Sequence, residues 1–463
     1  MKRILTILLG TVLLGVACKK SDDQPNPPTG GGGTGPDATG TIPVRGTITT
    51  DQHWTKDKTY RLRGYVYVTN NATLTIDPGT KIVSSKDSAG VLVIYRTAKI
   101  NASGTATEPI VFTSFETDKK PGDLGGLILV GLAKGNGNHT FIEGGVDPQF
   151  SAFGGTSDGD NSGTLKYVRI EYAGKAVNPG DEVNGLSLYG VGSGTTIDYV
   201  QVVRGLDDAF EFFGGKVNAK HLIAYNCADD DFDLDDGYSG NIQFAISVKD
   251  PAFTDDKGST GDLSNNFEID NVNPGNGFLL TRPPVTAPVM SNFTAIGPNN
   301  ASGTKSTYGY GMRWRRGSKV ILANSIVMGG QQAGLVVEDT TTAVYYANGD
   351  SKFYNSLLSS VTAPFFSKGN ALQQAILTDA TLETITTTTN GSVLLAAAGD
   401  ARLGDPFNNA SPNLKPQAGS PALTKAAKFD LDKLNVGFFD KVTYLGALDG
   451  TTDWTASWAV WGK

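Results

Sequence analysis

The chain has 463 residues, with 46 acidic side chains against 39 basic ones and a net charge of −7. That balance argues against nucleic acid as a partner, because phosphate binding requires a basic footprint. Its 58 glycines and 18% charged residues, with many Asn, Asp and Thr, favour short strands and turns over helices.

Residues 1–17 read as a signal peptide. Lys2 and Arg3 start it, and the apolar run from 4 to 16 is too short to span a bilayer. Gly15-Val16-Ala17-Cys18 resembles the lipobox of bacterial lipoproteins, with Gly15 where leucine is usual. The resemblance implies that Cys18 becomes the lipidated first residue; the alternative is ordinary secretion with an incidental cysteine. Residues 18–43 follow as anchor and Pro/Gly-rich tether, the flexible composition a membrane-attached domain needs. Within it, Lys19-Lys20-Ser21-Asp22-Asp23 resembles the surface-export signal of Bacteroidota lipoproteins. That implies an outer-membrane protein displayed at the cell surface. With Cys18 acylated, Cys227 has no cysteine partner and reads as a small buried residue. His53, His139 and His221 are scattered without the spacing of a zinc site.

Residues 44–369 carry repeats. Early on, 73–82 matches 91–100 at a step of 18. The runs at 108–113 and 125–130 look like further strands, and the Gly- and Asp-rich stretch 133–162 reads as a protruding loop. Coils resume at Leu165 and settle to a step of 22, Val200 to Leu222 to Phe244 and Phe210 to Phe232. Leu186, Phe267, Met312 and Leu335 open equivalent segments, with insertions around 251–263 and 298–308. Short period-2 segments at a step in the low twenties signal a stacked solenoid, since no single unit can bury its own apolar face. The expected fold is all-β, a right-handed parallel β-helix. Residues 370–463 read as last coils and a cap: 370–385 has the spacing of one or two short helices, and Tyr444, Trp454 and Trp458 are expected to close the last coil.

Alternation along each strand separates an inner from an outer set. Phe210, Phe232 and Phe267 form one inward ladder, and the parity of Trp314 with Met312 places it inward too. Outward columns then read Ser187, Glu211, Asp233, Glu268, Arg313 and Tyr189, Phe213, Asp235, Asp270, Arg315. Neighbouring strands lie about 4.8 Å apart, so stacked carboxylates repel by about 1 kcal/mol in water. A calcium ion would relieve this, and oxygen-rich cages suit it. The candidate metal ligands are Glu211, Asp233, Glu268, Asp235 and Asp270; Ser187, Tyr189, Phe213, Arg313 and Arg315 are candidate surface-binding residues. The plainer alternative is a solvated acidic face. Asp231, Asp233 and Asp235 do not form an EF-hand, because Asp236 and Ile242 stand where that loop needs Gly and Glu.

Taken together, leader, tether and coils resemble a right-handed parallel β-helix lipoprotein of the Bacteroidota cell surface. Members often occur beside outer-membrane receptors. The resemblance implies a non-catalytic binding or accessory protein for such a receptor or for a glycan. A carbohydrate-active β-helix enzyme is the alternative, since Asp207-Asp208 resembles the paired aspartates of β-helix polygalacturonases. The companion Asn-Thr-Asp, Gly-His-Gly and Arg-Ile-Lys elements of that family are missing. A lyase would need a base, and the pKa of Arg313 and Arg315 is too high for one. No catalytic residue is assigned. A structural or adhesive surface protein is the third reading.

Overall fold

The computed structural model describes residues 37–178, 181–254 and 262–463. The leader, Cys18 and most of the tether lie outside them. The rest is a right-handed parallel β-helix in which nearly every strand pairs with its counterparts one coil before and after. Each coil lays down three strand segments. In the 22-residue repeat, 196–198 stacks on 218–220 in a first sheet and 200–203 on 222–225 in a second. Phe210–Phe213 stacks on Phe232–Asp235 in the third.

The first and second sheets meet at one residue per coil held in the left-handed region: Tyr167, Tyr199, His221, Phe244, Asn292, Asn324 and Asn355, with φ between 49° and 59°. That conformation is unfavourable for a side-chain-bearing residue, and stacking along the column offsets it. Tyr167 lies 4.3 Å from Tyr199, Tyr199 4.2 Å from His221, and His221 5.2 Å from Phe244. Further on, the Asn355 amide donates to the Asn324 side-chain oxygen at 2.9 Å.

Two registers differ from the sequence reading. Ala245, not Phe244, pairs with Leu222, because this coil carries one extra residue and Phe244 takes the bend. In the early coils Tyr65 pairs with Val91 and Thr73 with Lys99, a step of 26. The apparent step of 18 laid a strand of one sheet on a strand of the next, which shares its alternation.

The interior follows the expected parity. Phe210, Phe232 and Phe267 stack at 5.3 and 5.6 Å between ring centroids, and Phe293 packs edge-on to Phe232. Trp314 is fully buried, as is Cys227, whose thiol burial pushes up to about 12. Two short helices, Ala371–Ile376 and Asp379–Thr384, close the last coil with Leu377 and Leu382 in the core. No helix among the described residues is long and apolar enough to cross a membrane.

Tyr444, Trp454 and Trp458 do not cap that coil. From about residue 395 the chain turns back and runs along the outside of the first two sheets as a strap. The outer face of the second sheet is apolar (Ile223, Ile246, Ile296), and Leu414, Leu448 and Trp458 cover it. Amide pairs fasten the edges: Gln243 both donates to and accepts from the Asp440 backbone, and Gln201 does the same with Val460. Lys463 reaches Glu171 at 2.7 Å.

Candidate functional site

The outer face of the third sheet holds the two columns read from the sequence, in the expected register: Ser187, Glu211, Asp233, Glu268 and Arg313 are successive partners. They do not all face solvent. Stretch 133–162 lies on the sheet rather than protruding, and its Ile142, Val146, Phe150 and Phe153 pack on Tyr189 and Phe213. Those two rings stack at 4.1 Å and are each 1% exposed, so they are not available as surface platforms. Ser187 is equally buried. Burying this apolar end of the sheet outweighs the cost of ordering a polar loop over it.

At the other end the arginines are consumed. Arg313 reaches Glu268 and Glu338 at 2.9 Å and also contacts Asp262. Arg315 reaches Asp270 at 2.7 Å and contacts Glu268, while Arg316 holds the other Asp270 oxygen at 2.7 Å. Arg313 and Arg315 are buried and tied to acids, which removes them as an open binding surface. Asp270, whose two oxygens are held by Arg315 and Arg316, joins none of the converging carboxylate groups and drops out of the candidate ligand set.

Between these closed ends the sheet carries carboxylates that converge. Asp208, Glu211 and Asp233 place oxygens within 4.8 Å of one another, and Asp230, Asp233 and Glu268 do the same. Asp233 belongs to both groups. Burial, with the neighbouring charges of Glu211 and Glu268, holds its carboxyl well above the usual range. Glu268 is pushed up to about 7 by burial, against the pull of Arg315 and Arg313. One Asp233 oxygen is buried without a hydrogen-bond partner, although the residue as a whole keeps a minor part of its surface open to solvent. An unsatisfied buried acceptor among crowded carboxylates fits a hard cation such as Ca2+, which takes carboxylate oxygens in flexible geometry.

Asp208 and Asp230 were missed as ligands because they lie in turns before the strands, where alternation gives no direction. The signal was present: the Asp-Asp pairs at 207–208 and 229–230 repeat one coil apart. Asp208 accepts the Asp230 backbone N–H at 2.8 Å, and Asp230 in turn accepts that of Asn265. Such turn-to-turn bonds point the carboxylates outward beside the strand.

Asp235 belongs elsewhere. It forms a separate group with Asp236 and His139 from the overlying loop. His139 lies 3.1 Å from Asp236 and 3.7 Å from Glu143. Burial opposes a charged ring, but Asp236 outweighs it and raises the imidazole to about 9. The pair is a clamp for the loop, and Asp236 is further saturated by the Asn138 amide at 2.9 Å. Lys249 approaches the cluster from inside, 3.1 Å from Asp231, with both side chains buried. Burial lowers its proton affinity, yet Asp231 and Asp230 more than restore it. It is held as an ammonium.

Three parallel sheets wound into one coil, with carboxylates of successive turns meeting on an outer face, define a right-handed parallel β-helix with a polar surface site. Residues 46–400 match the pectate-lyase-like beta helix domain, and the chain belongs to that family. Among solved structures it is similar to pectate lyase Pel9A, with 12% identity and a TM-score of 0.40 over 82% of this chain and 88% of that one. It is also similar to the Dettilon tailspike protein, with 10% identity and a TM-score of 0.24 over 59% and 62%. No curated protein matches it.

Proposed function

We propose that this protein is a cation-dependent glycan-binding β-helix, held on the outer membrane through a lipid at Cys18 and acting beside a receptor or on its own. The carboxylate convergence at Asp233 carries the reading. Asp208, Glu211 and Asp230 complete the cluster, with Glu268 at its arginine edge. A calcium ion there would neutralise the crowded charges and leave coordination positions for oxygens of a bound sugar. The ligand class that fits is an acidic polysaccharide, whose carboxylates the ion can bridge to an otherwise repulsive face. Family membership supports a carbohydrate as ligand without deciding between binding and cleavage.

Affinity electrophoresis in gels containing polygalacturonate tests this. Retardation is expected with calcium, and it should vanish with chelator or in Asp233→Asn. Mobility indifferent to both would sink the proposal. Unsaturated or shortened products in the same incubation would mark an enzyme instead.

A further inference from the structure

The strap does more than cover the second sheet. Where its two passes run side by side they leave a recess of about 360 Å3, within the roughly 300–1,000 Å3 of small-molecule sites. Beneath it lie Ile246, Leu414 and Leu448 of the outer cluster, all buried, so the accessible lining is mainly polar. One wall is the half-buried Trp461 ring, which stands edge-on to Tyr225 at 86° and 5.0 Å. Alternation about Leu414, in the strand Asn413–Pro416, turns Asn413 and Lys415 away from the floor and onto the rim. Asp453 faces them across the opening.

These rim groups keep free valences. The Asn413 side-chain oxygen accepts the Lys415 backbone N–H at 3.2 Å, leaving both amide hydrogens without a partner among the described residues. One Asp453 oxygen accepts from the Thr455 backbone and hydroxyl at 3.0 and 2.6 Å; the other accepts nothing there. Lys415 gives one of its three protons to the Thr451 carbonyl at 3.2 Å. The Trp461 N–H has no acceptor among the described residues either.

An aromatic wall facing a rim that holds one amide, one carboxylate and one ammonium matches the amphipathic surface of a pyranose. Its C–H face stacks on an aromatic ring and its hydroxyls bridge donors and acceptors. The rim charges cancel, so the pocket selects for an uncharged sugar. We infer that the Trp461 recess is a second glycan site, for a hexose or pentose unit of a neutral polysaccharide, independent of any cation. It lies on the second sheet, whereas the carboxylate cluster lies on the third.

Isothermal titration of the full chain with cellohexaose, mannohexaose, xylohexaose and maltohexaose, in EDTA throughout, tests this directly. At least one should bind saturably with a Kd at or below about 1 mM. Trp461→Ala should weaken that binding about tenfold or more, Trp461→Phe should recover part of it, and Asn413→Ala should weaken it with the melting temperature unchanged. Asp233→Asn should leave it intact, which separates this site from the carboxylate cluster. No saturable binding to any of the four would overturn the inference. So would binding that survives both Trp461→Ala and Asn413→Ala.

Discussion

Asp233 pays for its position. Its charge is disfavoured by burial and by Glu211 and Glu268 on either side, so the folded protein holds protons there that the unfolded chain releases. Glu268 behaves alike, its folded value near 7 standing above the ordinary 4.5. A carboxyl raised on folding adds stability that is full at low pH and is lost as pH climbs through the folded value. In chelator, the melting temperature should therefore fall between about pH 4.5 and 7, and Asp233→Asn should flatten the slope. Calcium should flatten it as well, by replacing the protons; equal slopes in all three would leave the crowding without energetic effect. His139 gives a second, more alkaline limb. With its folded value near 9 against 6.5, the clamp contributes fully below 6.5 and fades as pH passes 9. His139→Gln should lose stability at neutral pH and show no further decline on that limb.

Among the elements, the third-sheet strands were the most legible in the sequence. Their alternation and common step placed Phe210, Phe232 and Phe267 correctly, and the register of Glu211, Asp233 and Glu268 with them. Phe232→Ala should cost about 3–5 kcal/mol, as large-to-small core changes do, readable by denaturant titration. What alternation cannot carry is whether an outward face meets water. The rings of Tyr189 and Phe213 lie under Phe153 and Ile142, residues from a loop with no periodicity of its own. The strap was illegible for the same reason. Its anchors on Gln201 and Gln243 link residues 259 and 197 positions apart, separations no repeat encodes. Its key residue is Trp458, fully buried against the second sheet. Trp458→Ala should also cost about 3–5 kcal/mol, whereas a cap confined to the last coil would leave a distant residue such as Tyr167 unaffected. Tyr167 fluorescence or proteolytic access near it separates the two, since Trp458 packs edge-on to that ring at 5.8 Å.

For the whole molecule, a cation bound only by the folded state should raise stability by about 2.7 kcal/mol at a hundredfold excess over its Kd. Superimposable melting curves with calcium and with chelator would reduce the cluster to a plain acidic face. Anchoring is tested separately: Cys18→Ala should abolish acyl labelling and move the protein out of the membrane fraction. The strap has a consequence in time as well as in space. A solenoid without one can wind coil by coil as it is made, each turn finished by the next. Here the apolar outer face around Ile223 and Ile246 waits for Leu414, Leu448 and Trp458, which are synthesised far later. At 5–20 residues per second the interval from Ile223 to Trp458 is roughly 12–47 s. Until the strap arrives the coils carry an uncovered apolar flank, a surface for holdase chaperones and a hazard if the chain is cut short. Truncation at residue 440 should therefore yield chains that wind but aggregate, and supplying the missing segment as a separate peptide should rescue their solubility.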